Sequence, residues 1–172
     1  GNIGQCIIFC STKIRTREVA KILYKSGARV VSVEGDMSQH RREDSMSKFR
    51  KSKVDILVAT DVAARGIDIP QVALVINYDI PNRDMVYFHR IGRTARAGAK
   101  GRAITMVSYS SVGEWNEIKK QTKVNMTDLN EKLGIEVKIP DPLKRRAVTR
   151  QYSHRIKNHS SQVSRRYMSA RN

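Results

Sequence analysis

Arg90, Arg93, Arg96 and Lys100 share one short stretch with Gly92, Gly98 and Gly101, in the order Tyr-Phe-His-Arg-Ile-Gly-Arg-Thr-Ala-Arg-Ala-Gly-Ala-Lys-Gly over residues 87–101. Each of these arginines stands three residues from the next. Asn82-Arg83-Asp84 before an apolar run predicts a helix start, and on a helix that spacing stacks the guanidiniums on one side. The planar guanidinium fork binds two phosphate oxygens at once. Glycines let the backbone turn sharply or pass close to a ligand. The chemistry on offer is therefore neutralisation of phosphate charge. The plainer alternative is a solvated basic turn, which an arbitrary arginine-rich stretch would usually be.

Elements that could carry this stretch follow from periodicity. Nearly continuous apolar runs at Ile3–Cys10, Arg29–Val33, Val54–Ala59, Val72–Asn77 and Arg102–Val107 predict strands of a covered parallel sheet. Helical spacing predicts helices over Arg15–Ser26, Gln39–Arg50, Asp84–Ile91 and Val112–Lys123. Gly27 stands where a helix end favours a left-handed residue, and Ser38 can cap the second helix. Strands alternating with helices predict an α/β fold with helices on both faces of the sheet.

In such sheets ligands bind at the carboxyl ends of the strands. Polar and unusual residues collect there: Ser11-Thr12 after the first strand, Glu34 to Arg42 after the second, Thr60 to Asp68 after the third, and Tyr78 to Pro81 after the fourth. Four such loops on one edge predict a binding surface. They also carry a resemblance. Ile-Ile-Phe-Cys-Ser-Thr resembles motif IV of the DEAD-box RNA helicases. Gly35 to Arg42, ending Gln-x-x-Arg, resembles motif IVa. Ala-Thr-Asp-Val-Ala-Ala-Arg-Gly-Ile-Asp, ending at Asp68, resembles motif V. Asp79 and Pro81 match the short motif that follows, and His89 to Arg96 resembles motif VI, with Ala95 where the family often has Gly. All stand in the family's order across about residues 3–125.

The resemblance implies the second RecA-like domain of a two-domain ATPase, a three-layer sandwich around a mostly parallel sheet. It implies that Arg93 and Arg96 act as arginine fingers on the γ-phosphate of ATP when the domains close. Asp68 would accept a hydrogen bond from the ribose, and Gly66 would allow close approach of the chain to the nucleotide. Thr12, Gly35, Gln39, Arg42, Thr60 and Asp61 would line the RNA, reading backbone and 2′-OH rather than bases. Asp61 could instead bond a neighbouring loop, Asp68 could cap a turn, and Arg42 could pair with an acid on its own helix. His89 and Arg90 would order the finger loop against the partner domain. The phosphate loop Gly-x-x-x-x-Gly-Lys-Ser/Thr and the Asp-Glu-Ala-Asp string do not occur in these 172 residues. The N-terminal RecA-like domain implied by the family would supply them, and with them the ligands of the Mg2+ bound to ATP.

Net charge +17 and a pI near 10.3 point to a polyanionic partner. No apolar run reaches the roughly 18 residues of a membrane span, no secretory leader is visible, and neither membrane association nor self-association is expected. Cys6 and Cys10, on one strand, would lie roughly 13 Å apart, beyond disulfide reach. They read as small buried apolar residues in a reducing, intracellular compartment. Trp115, in an apolar pattern with Ile118, reads as core rather than as a base-stacking ring. His154 and His159 have no partners at metal-ligand spacing.

Residues 1–137 are assigned to the RecA-like domain and 138–172 to a basic extension. From Lys138 the chain has ten lysines and arginines against one acid, Asp141, so net +9 falls there and +8 on the rest. Such a composition predicts little order in isolation. Two other functions fit less well. A catalytically silent RNA-binding scaffold would not need Arg93 and Arg96. For a related DNA helicase, the Ala-Arg-Gly-Ile-Asp string and Gln-x-x-Arg are the wrong signature.

Overall fold

A computed structural model describes residues 4–64, 69–94 and 101–135 of the chain. Five parallel strands form one sheet in the order β2-β3-β1-β4-β5. They are β1 (Cys6–Cys10), β2 (Val30–Val33), β3 (Ile56–Thr60), β4 (Leu74–Asn77) and β5 (Arg102–Thr105). Between and after them run α1 (Lys13–Lys25), α2 (Gln39–Arg50), the single turn α3 (Asp61–Ala64), α4 (Asp84–Ile91) and α5 (Val112–Thr122). The expected α/β architecture is present, and every described strand pair is parallel.

The central strand explains the sheet. All five residues of β1 are buried, which a strand flanked by two others and covered on both faces requires. Side-chain alternation along it feeds two cores. Ile7 and Phe9 pack with Leu57, Ala59, Val75, Met46 and Phe49 on the α2 face. Cys6, Ile8 and Cys10 pack with Val19, Val58 and Leu74 on the α1 face. Both cysteines are free, and burial pushes each thiol up to about 11. The register Cys6↔Ile56 and Cys6↔Leu74 starts these strands together, so the apolar residues just before Ile56 and Leu74 lie outside the ladder.

Helix boundaries follow local chemistry. Thr12 caps α1 through Arg15 N, and Ser38 caps α2 through Arg41 N. α1 stops at Gly27, whose φ of +86° a side chain would resist. Trp115 packs edge-on against Tyr87 at 5.7 Å between ring centres, tying α5 to α4. Two compact units divide the chain after Asn125, before the boundary expected from composition. Within the second, α6 (Leu129–Leu133) is capped by Asp128 and ends at Gly134 in the left-handed region. The extension from residue 138 onward, with His154 and His159, lies outside the described residues.

Candidate functional site

Because all five strands run parallel, the loops after β1, β2, β3 and β4 meet on one edge, as expected. Arg90, on the last turn of α4, ties the start of α3 after β3 to the end of β4 and the loop after it. Its side chain is only 2% exposed. Nε and Nη2 donate to the two carboxylate oxygens of Asp61 at 2.7 and 2.8 Å. Nη1 donates to Asp79 O at 2.7 Å and to Asn77 Oδ1 at 3.3 Å. The Phe9 ring lies 5.2 Å from the guanidinium carbon. A buried arginine cannot shed its proton, so the bidentate carboxylate and the two further acceptors are what make its burial tolerable.

This geometry corrects one expectation: Arg90 was placed against a partner domain, but its donors are taken within its own domain. Stacking of Arg90 and Arg93 on one face required a helix running on through Arg93. Instead α4 ends at Ile91 with Gly92 as its cap, so Arg93 lies beyond the helix. Arg90 turns inward because Asp61 is there to receive it, so Asp61 is bonded to helix α4 rather than to a neighbouring loop.

The turn that follows is fastened to the sheet. Val72 N donates to Arg93 O at 3.0 Å. Thr94 Oγ1, itself buried, donates to Val72 O at 2.6 Å. Arg93 is thus half-exposed on a backbone pinned from both sides. His89 is exposed on α4. Arg96, Gly66 and Asp68 lie outside the described residues.

The loops on the proposed RNA side are fastened as well. Asp79 Oδ2 accepts from Ser11 N at 2.9 Å and from Ser11 Oγ at 3.0 Å, which ties the loop after β4 to that after β1. Thr12 and Thr60 each accept a backbone N–H, from Arg15 at 3.2 Å and from Ala63 at 3.3 Å. Either hydroxyl retains its proton to donate. After β2, Glu34 is buried; its Oε1 accepts from Arg17 Nη2 at 2.6 Å and its Oε2 from Asp36 N at 2.7 Å. Asp36 pairs with Lys13 at 2.8 Å and with Arg17 at 3.1 Å. Lys13 first, and Arg17 with it, hold the Asp36 carboxyl below its ordinary range, while the Glu34 hydrogen bond raises Arg17. The pairs clamp the Gly35 loop onto α1.

Sequence reasoning missed this clamp. Lys13 and Arg17 are one helical turn apart, but nothing in the pattern joins them to acids some twenty residues onward. Asn77 and Thr94, buried polar residues that support Arg90 and Arg93, were missed for the same reason. Gln39 bonds Glu43 at 2.7 Å within α2. Arg42 is half-exposed, and its Nε is buried without a hydrogen-bond partner among the described residues. No cluster of His, Cys, Asp or Glu that could hold a metal occurs among the described residues.

The helicase conserved C-terminal domain family matches residues 1–98. The ATP-dependent RNA helicase FAL1 of Saccharomyces cerevisiae is 44% identical over 130 residues, 74% of this chain and 33% of that protein. The C-terminal domain of the DEAD-box protein Dbp5 is 37% identical at a TM-score of 0.68, covering 74% of this chain and 75% of that one. Dbp5 of S. cerevisiae bound to RNA and ADP BeF3 is 37% identical at a TM-score of 0.68, covering 73% of this chain and 34% of that one. The chain spans 24–33% of the length of the curated relatives it matches.

Proposed function

The chain belongs to the C-terminal helicase domains of the DEAD-box family, and on that footing we propose that it forms the second half of an ATP-dependent RNA helicase, acting as a monomer. RNA binding draws this domain onto an N-terminal RecA-like domain around ATP, whose Mg2+ that other domain ligates. Closure brings Arg93 and Arg96 to the γ-phosphate and bends one strand of a short duplex. Hydrolysis and phosphate loss reopen the cleft.

The observation that supports this most is the Arg90 clamp. One buried guanidinium bonds Asp61, at the start of the loop assigned to RNA, and lies three residues before Arg93, assigned to ATP. Movement of the RNA-side loop is thereby felt at the base of the finger loop. The test is phosphate release. The complete protein should hydrolyse ATP faster with RNA than with DNA of the same sequence. The 172-residue chain alone should stay at background with either. Turnover by the chain alone, or equal stimulation by DNA, would overturn the proposal.

Gly35 gives a sharper test of the RNA side. A Cβ built there meets nothing within 4 Å, and Gly35 is not among the residues with positive φ. Neither packing against the described residues nor backbone conformation requires glycine there, which leaves room for close approach of a ligand. Gly35→Ala should leave the melting temperature unchanged and weaken RNA binding several-fold. Unaltered RNA affinity would remove Gly35 from the interface.

The extension offers a separate polyanion contact. Each phosphate neutralised on single-stranded RNA adds about −0.7 to the slope of log K against log salt. If the extension supplies four such contacts, truncation after Asp141 should flatten the slope by roughly 3, similarly for all RNA sequences, because its charges read phosphate rather than base edges. Equal slopes with and without it would show that it does not bind RNA. Docking of a protein partner through Val148, Tyr152 and Ile156 would then be the reading to pursue.

A further inference from the structure

A groove of about 360 Å³ runs along the β2 edge of the sheet and borders the loop after β2 at Arg17 and Met37. Among the described residues β2 is an edge strand, paired with β3 only. Arg29 O accepts from Asp55 N and Ile56 N, so Arg29 faces β3, and strand alternation turns the N–H and C=O of Val30 and Ser32 to the open side. Residues of both flanking helices line the groove, Ala20 and Tyr24 from α1 and Ser45 from α2, with Met37 from the loop before it. It therefore follows the sheet margin itself rather than one face. Two cations, Arg17 and Lys21, line it and no acid does. Arg17 is engaged by Glu34 and Asp36, whereas Lys21 has no acidic partner among the described residues. Tyr24 is 73% exposed beside them.

We propose that this margin is a docking site for an acidic protein segment that binds in extended form as a sixth strand beside β2. Added strands gain affinity from main-chain hydrogen bonds and selectivity from alternate side chains. Alternate residues of the segment would cover Val31 on the α2 face, and the carboxylates between them would meet Lys21 on the α1 face. The chain's own extension is the wrong occupant, since its net charge of +9 repels the same two cations. RNA is disfavoured because an unpaired strand edge and an apolar floor offer bases and phosphates little that they need.

The test uses the 172-residue chain labelled with ¹⁵N and a peptide of roughly eight residues alternating valine and glutamate, long enough to run past β2. The amides of Val30 and Ser32 should shift on titration and exchange more slowly with solvent. The same peptide N-methylated at alternate amides should not bind. Lys21→Glu, a substitution on an exposed helix position, should weaken binding by about tenfold. The proposal is overturned if the Val30 and Ser32 amides are unmoved at millimolar peptide. It is equally overturned if the N-methylated peptide or the Lys21→Glu chain binds as well, or if oligoadenylate rather than peptide moves these amides.

Discussion

In the complete two-domain protein, Arg93→Ala or Arg96→Ala should depress ATP hydrolysis far more than ATP affinity. A finger acts on charge that grows as the phosphoryl group leaves, so its loss is felt in the transition state and hardly in the ground state. In other phosphoryl-transfer enzymes the effect is about three to five decades in rate. Arg93 starts from a pinned position: Val72 bonds its carbonyl, and Thr94 anchors the next residue to Val72 O. A held backbone limits the freedom lost on reaching the phosphate. The measurement is kcat at saturating RNA with nucleotide affinity in parallel. Arg42→Ala should separate from both, raising the RNA concentration needed for stimulation with a smaller effect on kcat. If Arg96→Ala left the rate at saturating RNA unchanged, the finger assignment would be wrong. If Thr94→Val matched Arg93→Ala, positioning of the turn would be as important as the guanidinium it carries.

What the sequence made legible divides along a physical line. Gln39–Arg50 and Asp84–Ile91 match their expected bounds, and the start of the first is written locally, by the Ser38 cap. The expected strands ran long before Cys6, Ile56 and Leu74. An apolar run says where a strand can be buried, whereas its first paired residue depends on neighbours such as Ile56 and Leu74 across the sheet. The single turn α3 was not foreseen, since four residues are too few for a helical period to show. That the post-strand loops share one edge was legible because parallel strands put every such loop on the same side. Arg90 was misplaced for the opposite reason. An arginine beside glycines reads as exposed, and its burial depends on Asp61, Asn77 and Asp79, which lie 29, 13 and 11 residues away in sequence. The Glu34–Arg17 pair is the same kind of fact: each charge is local, but the pairing is a property of the fold.

Removing the Asp61 carboxylate should be among the most destabilising single changes in the domain. Asp61→Ala leaves the Arg90 guanidinium, 2% exposed, with Asp79 O, Asn77 Oδ1 and the Phe9 ring as its partners among the described residues. The charge cannot be relieved by deprotonation, and breaking a buried pair from one side costs about 3–5 kcal/mol. For a chain of this size that is a fall in melting temperature on the order of 10 °C. Arg90→Met removes the cation while keeping an unbranched apolar side chain over Phe9. It leaves Asp61, 26% exposed, able to turn to water, so its effect should be smaller. The double variant should lose less than the sum of the two, with a coupling of about 0.5–3 kcal/mol. Urea unfolding of the four proteins measures this directly. A stability for Asp61→Ala within about 1 kcal/mol of the parent would mean that the clamp is not what holds the edge together. The same variants probe function. At temperatures where Arg90→Met remains folded, the backbone bond from Arg93 N to Arg90 O persists but its anchor to Asp61 is gone. If that anchor carries the RNA signal, RNA stimulation of hydrolysis should fall in this variant while the basal rate changes little. Equal loss of both rates would instead assign Arg90 to holding the fold alone.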